Sequence, residues 1–424
     1  MSRLNSIAIS NAHHLKPVKQ HSLSGRGNVR DVAWSPDGKL IAVATSIGIW
    51  LYHAQTFAPQ HLLTDDGSRY GAVAFSPDSK LLAAVKSVGS VFDQRCAVQL
   101  WDIETGRPIV ILPALFGFTP PSFSPDGTLA ASGVAWDGSE HLSSNLICLW
   151  DVETGLYRAT LHYSNWSPYI AFSPDGRLLT GGGFTPTVMW WEVASGAELA
   201  TLRGVHTLLV SCTAFSPDGQ TFASGSRDGT VALWDVASHQ AKTTFNHSGT
   251  VWDIAFTPDG TRLASAGGNF LGATAEANEI ILWEVATGER RAILQGHTVG
   301  VTRVQFNPDG TVLASMSGMS DRTAGEQDVW LWDVATGNQR LLLHEGQYGE
   351  NQINCIAFNR DGTIIASGGN GGMVRLWDTA SGAQLAAVRG DGIGVKSIAF
   401  SRDGTLLASA GWDGAVRLWG IPAS

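Results

Sequence analysis

Apolar and polar residues alternate along this chain in short runs, each stopped by a small cluster of Gly, Asp, Ser or Pro. Around residue 210 the pattern is plainest: SCTAF alternates, SPDG interrupts it, TFASGS resumes, RDG interrupts again, and TVALWDV follows. A turn at Ala237-Ser238-His239 then leads into AKTTF. A period of two predicts strands, because successive side chains point to opposite faces. In SPDG the proline pre-sets φ and Asp-Gly suits left-handed backbone, so the phrase predicts a tight turn. Alternating runs separated by short Gly-containing turns predict antiparallel hairpins. The stretch therefore predicts a meander of four strands, and no segment carries helical periodicity of useful length.

The same pattern recurs through the chain. The turn phrase follows an aromatic residue as WSPDG at Trp34, FSPDS at Phe75, and FSPDG at Phe123, Phe172 and Phe215. It continues as FTPDG at Phe256, FNPDG at Phe306, FNRDG at Phe358 and FSRDG at Phe400, spaced 41 to 52 residues apart. A second phrase ends each unit at Trp101-Asp, Trp150-Asp, Trp191-Glu, Trp234-Asp, Trp283-Glu, Trp332-Asp, Trp377-Asp and Trp419-Gly, with Tyr52-His53 in the first. A sheet that is apolar on both faces cannot bury either alone, so units of this kind must stack. Each tryptophan buried between sheets hides ~150–250 Å², worth on the order of 4–6 kcal/mol of gross transfer energy.

Four-strand units with this period and a Trp-Asp phrase resemble the WD-repeat family of β-propellers, over residues 16 to 424. The close likeness of the units resembles bacterial members. The resemblance implies an all-β fold with a tail at 1–14 and a single propeller domain at 15–424. Nine turn phrases imply nine blades, with eight as the alternative because the first unit is the most degenerate. The last unit ends at Trp419, one strand short, and LKPVKQHSL at 15–23 is expected to supply the missing outer strand.

From the turn aromatic to the third-strand aromatic the count runs 18, 26, 27, 19, 19, 27, 26, 19 and 19. The four long units carry insertions at Lys86–Ala97, Gly133–Leu146, Ala266–Glu279 and Met316–Asp328, between the second and third strands. In the family these loops share one face, the top, with the starts of the first strands. Insertions confined to one face often mark the binding face. They bring Phe92, Trp136, Phe270 and Arg322 forward as contact candidates. At the starts of the first strands the aligned residue varies while the framework repeats: Arg30, Gly71, Thr119, Pro168, Ser211, Trp252, Thr302, Asn354 and Lys396. Trp252 stands out, with Tyr70, Trp166, Tyr169 and Tyr348 in equivalent segments. Aromatic residues and arginine are enriched at interface hot spots. Capping the channel mouth is the structural alternative for them.

Charge narrows the partners. With 28 Lys+Arg against 37 Asp+Glu the net charge is −9, and no long basic run occurs, so nucleic-acid binding is not expected. No apolar stretch is long enough to span a bilayer as a helix. The start of the chain lacks the apolar core of a secretion signal, and four scattered cysteines without a CxxC fit a reducing, cytoplasmic compartment. Asn246-His247-Ser248 matches a glycosylation sequon that this compartment would leave unused.

Candidate chemistry is sparse. GxSxG, HExxH, CxxC, P-loop and GxGxxG patterns are absent. Asp65-Asp66-Gly67 and Asp137-Gly138-Ser139-Glu140 are acidic but lack a calcium-loop pattern. His206, Ser224 and Asp228 resemble a nucleophile triad by residue type. With Trp234 they instead resemble the family's buried hydrogen-bonded tetrad, although Gly204-Val205-His206 carries one residue more than its Gly-His. Gly296-His297 keeps the dipeptide, with Ser315, Trp332 and either Asp321 or Asp328. The expectation is a non-enzymatic, monomeric scaffold that binds a protein or peptide through top-face loops, without cofactor or metal. Use of the central channel by a small ligand or substrate is the alternative.

Overall fold

A computed structural model describes residues 4–5, 7–8, 10–21, 29–54, 56, 58–65, 69–88, 95–116, 121–135, 145–152, 154, 156–163, 169–182, 185–268, 278–317, 329–343, 353–390, 394–411, 413 and 415–422. Among these residues all regular structure is antiparallel strand, apart from a 3-10 turn at Ala12–His14. The chain divides into two compact units, residues 1–164 with 353–378 and 383–424, and residues 165–352 with 379–382.

The second unit holds four four-stranded meanders in chain order, the fourth to seventh repeats. The fifth repeat runs Val210–Phe215, Thr221–Ser226, Thr230–Asp235 and Gln240–Asn246. The sixth runs Val251–Phe256, Arg262–Gly267, Glu279–Glu284 and Arg290–Gln295. The first unit holds the first, second, third, eighth and ninth repeats. In it the second and third are joined into one eight-stranded sheet by pairing of Leu115 and Phe116 with Ala135 and Val134.

The turn phrase has a local cause. Ser216 Oγ donates to Asp218 Oδ1 at 2.5 Å, the Gln220 N–H donates to the same oxygen at 3.0 Å, and the Thr221 N–H donates to Ser216 Oγ at 2.9 Å. Gly219 closes the turn at φ +69°, where a side chain would be strained. The hydroxyl of Ser216 and the backbone of Gln220 hold the Asp218 carboxyl below its usual range.

Packing between neighbouring sheets makes the core. Cys212, Leu233 and Phe245 of the fifth repeat share one cluster with Val251, Ile254 and Trp283 of the sixth. Gly225 lets the sheets approach, since a Cβ there would lie 2.6 Å from Cys212 Sγ and 2.7 Å from Val251 Cγ1. In the first unit the first and last repeats share a cluster of Ile41, Val43 and Tyr52 with Leu406, Val416 and Leu418.

The outer position of the last repeat is taken by Lys16–His21, which pairs with the last strand from Lys16↔Gly420 to His21↔Val416. Leu4 and Asn5 pair with Pro422 and Ile421, and Ile7, Ala12 and Leu15 are buried in the cluster of the eighth and ninth repeats.

Candidate interaction surface

The first strand of most repeats carries a β-bulge near its start. Register shifts between Val29 and Asp31, Val210 and Cys212, Val251 and Asp253, Val301 and Arg303, Ile353 and Cys355, and Val395 and Ser397. The extra residues are Arg30, Ser211, Trp252, Thr302, Asn354 and Lys396, the same positions that vary in sequence. A bulge frees one residue from the ladder and re-aims its side chain.

Two of these side chains stitch neighbouring repeats together. Ser211 Oγ donates to the Val251 carbonyl of the next repeat, and Asn354 Nδ2 donates to the Val395 carbonyl at 3.0 Å. The residue after the bulge does the same from the other side: Asp31 Oδ2 accepts the Val73 N–H and Asp253 Oδ2 accepts the Val304 N–H, each at 3.0 Å. These aspartates, isolated in sequence, are staples between first strands. Burial raises both carboxyls against the pull of those N–H groups, and lifts Asp253 to about 6.

Trp252 is half-buried and fixed at both ends. Its indole N–H donates to the Gly268 carbonyl at 2.9 Å, and the Arg227 guanidinium lies over its ring, 5.2 Å from the centroid. The Arg227 N–H donates to the Leu209 carbonyl at 3.0 Å, and Thr250 Oγ1 donates to the Arg227 carbonyl at 3.3 Å. Leu208 is 54% exposed. Arg227 and Trp252 thus form one patch in the second unit, where the first strands start, and Ser226 Oγ, one residue before Arg227, donates to the Leu208 carbonyl at 3.1 Å.

The tetrad residues hold that patch in place. Trp234 Nε1 donates to Ser224 Oγ at 2.9 Å, and Ser224 Oγ lies 2.7 Å from His206 Nε2. His206 Nδ1 lies 2.6 Å from Thr230 Oγ1, which donates to Asp228 Oδ1 at 2.5 Å. Asp228 therefore reaches the histidine through Thr230, and its other oxygen accepts the Thr207 N–H. Burial acts to raise the Asp228 carboxyl, but hydrogen bonds from Thr207, Thr230 and Ser226 hold it far below its usual range. The network ties His206 and Thr207 to Asp228 and Thr230, and so fixes the backbone next to Leu208 and Arg227.

The sixth repeat carries a network that the Gly-His dipeptide does not reveal. His247 Nε2 lies 2.6 Å from Ser265 Oγ, which accepts the Trp283 indole N–H at 2.7 Å. Glu279 stands 3.8 Å from His247 Nδ1, where the fifth repeat uses Thr230 and Asp228. In the seventh repeat His297, Ser315 and Trp332 connect at 2.7 and 2.8 Å, while Asp321 and Asp328 lie outside the described residues. Burial pushes the imidazoles of His247 and His297 down to about 4 and about 3. Neutral, buried histidines shared with a tryptophan are set as struts.

The other nominated residues divide. Tyr70 is buried, with its hydroxyl donating to Asp65 Oδ1 at 2.5 Å. It occupies the core position that Val210 and Val251 fill elsewhere, so it is a packing residue and not a surface contact. Asp65 also accepts Lys86 Nζ at 2.6 Å, which commits the carboxylate considered for calcium. Arg30 is exposed and Lys396 half-buried; burial first, then the Arg30 charge, lowers the Lys396 amine. Phe92, Trp136, Trp166, Phe270, Arg322, Tyr348 and the Tyr169 side chain lie outside the described residues, as do the middles of all four insertions. Among the described residues no cluster of His, Cys, Asp and Glu is arranged to hold a metal, and no helix is long and apolar enough to cross a membrane.

Comparison with known proteins agrees with the repeat. The family described as WD domain, G-beta repeat matches residues 17–47, 196–235, 239–271, 288–333, 340–378 and 382–420, more than half of the chain. A component of chromatin assembly factor 1 from Gallus gallus is 27% identical over 148 residues, 35% of this chain and 21% of that one. Periodic tryptophan protein 2 of Arabidopsis thaliana is 29% identical over 221 residues, 52% of this chain and 23% of that one. The beta component of a guanine nucleotide-binding protein from Oryza sativa subsp. japonica is 28% identical over 145 residues, 33% of this chain and 34% of that one. In each case the match spans well under half of the relative's own length. These relatives are eukaryotic and lend no support to the bacterial source expected above. The chain belongs to the WD40 repeat family.

Proposed function

We propose that this WD40-repeat chain is a non-enzymatic scaffold that grips a protein or peptide partner through the patch of Arg227 and Trp252. The observation that carries this reading is the fixing of Trp252 before any partner arrives. An aromatic side chain whose N–H is already satisfied and whose face already holds an arginine loses little freedom on binding. Tryptophan and arginine are also the residue types that dominate interface energetics. Relatives named for chromatin assembly, and for one component of a guanine nucleotide-binding protein, fit a role in assemblies. In this reading the nine repeats close into one nine-bladed propeller, with Lys16–His21 finishing the last blade. The long second-to-third-strand loops then rise on the side of the patch and widen the docking face in the cytoplasm.

The test is quantitative affinity capture from the native source with the intact chain, Trp252→Ala, Arg227→Ala and Leu156→Ser. Leu156 is 67% exposed and belongs to the other unit. Loss of a hot-spot side chain weakens a partner at least about tenfold. Trp252→Ala and Arg227→Ala should therefore deplete the same proteins while Leu156→Ser does not. Folded variants that keep every partner overturn the assignment.

A further inference from the structure

The turn phrase contains a departure that the fold does not require. Seven copies hold proline at the second position, as Pro36, Pro77, Pro125, Pro174, Pro217, Pro258 and Pro308, whereas the eighth and ninth hold Arg360 and Arg402. The side chain at this position takes no part in the hydrogen bonds of the turn, which run between the first and third residues and the backbone. Proline stiffens the turn and arginine does not. The two arginines therefore need a cause outside the turn.

Both line one cavity of about 660 Å³ in the first unit, where the turns of the first, eighth and ninth repeats meet. Lys39, His53 and Thr56 complete its polar wall. This is a volume in the range of small-ligand pockets, ~300–1,000 Å³. Arg402 is already positioned: its Nη1 donates to the Pro36 carbonyl at 2.8 Å, which orients the rest of the guanidinium. Two carboxylates also face the cavity, and both are spent on their own turns. Asp37 accepts Ser35 Oγ at 2.7 Å and the Lys39 N–H at 3.0 Å, and Asp403 accepts Ser401 Oγ at 2.6 Å and the Thr405 N–H at 3.1 Å. An aspartate of this kind stands in every repeat, so the cations are what set this corner apart. They collect in a chain whose net charge is −9.

We propose that this cavity is an anion site for a phosphomonoester, gripped by Arg360 and Arg402 and supported by Lys39 and His53. A planar guanidinium offers paired N–H groups that match two phosphate oxygens, and two of them converge on one dianion. Lys39, whose ammonium pairs with Asp37 Oδ2 at 3.1 Å, offsets that carboxylate, and Thr56 lines the cavity wall. The site stands apart from the Trp252 patch and does not depend on it.

Calorimetric titration of the full chain with inorganic phosphate, at ionic strength held constant with chloride, tests this. Glucose 6-phosphate and a phosphoserine peptide are titrated in parallel. Arg360→Pro is the decisive variant, because it rebuilds the FNPDG phrase that the seventh repeat already folds with. It should unfold at an unchanged temperature and bind phosphate at least about tenfold more weakly, as should Arg402→Gln. Arg177→Ala, an exposed turn arginine of the fourth repeat, should bind as the parent does. Tighter binding of the sugar phosphate identifies a small metabolite as the source, and tighter binding of the peptide identifies a modified protein. The proposal fails if the parent binds no phosphate up to ~20 mM, or if Arg360→Pro and Arg402→Gln bind as the parent does.

Discussion

Replacing Asp253 by asparagine tests the staples between first strands. The Asp253 carboxyl is enclosed between the fifth, sixth and seventh repeats and accepts the N–H groups of Ile254 and Val304, both at 3.0 Å. Burial raises it to about 6, against those N–H groups and the nearby Arg303 charge. A carboxyl in an unfolded chain titrates near ~3.9, so the fold prefers the neutral form by about two pH units, or up to about 3 kcal/mol. For a raised folded value the sign is fixed. The stabilisation is fully present below about pH 4 and is lost as pH rises through about 6. The substituted amide keeps a carbonyl for the Val304 N–H but cannot ionise. Denaturant unfolding of both proteins, followed by tryptophan fluorescence between about pH 4 and 7.5, isolates this contribution as a difference. Turn carboxylates such as Asp218 act in the opposite direction but cancel, being common to both. The parent should lose up to about 3 kcal/mol relative to Asp253→Asn across the window. A gap that stays constant within ~0.5 kcal/mol, or widens in the parent's favour as pH rises, refutes the reasoning.

The tryptophan networks and the edge strand give further expectations. Ser265→Ala removes the acceptor of the Trp283 indole and strands His247 Nε2, so it should cost about 2–4 kcal/mol in denaturant unfolding. Ala84 stands at the equivalent place in the second repeat, where the Trp101 indole N–H has no hydrogen-bond partner among the described residues. Ala84→Ser should therefore raise stability by about 1 kcal/mol in the same assay, and a loss would contradict the shared geometry. Deleting residues 1–24 removes the strand paired with Val416–Gly420 and should lower the thermal midpoint by several degrees; an unchanged midpoint would show that the pairing contributes nothing.

What could be read from the chain is what is local. The turn phrase is closed by contacts over five residues, so SPDG and its variants mark a turn wherever they occur. The third-strand tryptophans are legible because in eight of the nine repeats each closes an apolar run and is followed by Asp, Glu or Gly. Tyr70 was also readable: it stands where the alternation places Val210 and Val251, which points it inward. His247 follows Asn246 and so lacks the Gly-His dipeptide, yet it lies 18 residues before Ser265, as His206 does before Ser224 and His297 before Ser315. Spacing, and not the dipeptide, carries that signal, because two strands and a turn of constant length separate the partners. The bulges had no such signal. A bulge is a relation between a strand and its neighbour, so Trp252 and Ser211 differ in type while sharing one backbone geometry.

That geometry separates framework from freedom in this molecule. The first and third turn residues, the second-strand serine and the third-strand tryptophan are each held by hydrogen bonds that a substitution would break. The bulged residue and the second turn residue sit outside those bonds. Except where the bulged residue stitches neighbouring repeats, as Ser211 and Asn354 do, a change there costs the repeat little, so what stands there answers to something other than folding. At the bulges the chain has placed Trp252 over a carbonyl and under an arginine, and at the turns it has placed Arg360 and Arg402 where seven other copies keep proline. The two positions lie at opposite ends of the first strand. Within each unit the staples at Asp31 and Asp253 join the first strand of one repeat to that of the next, so the framework is continuous where these two positions are free to differ.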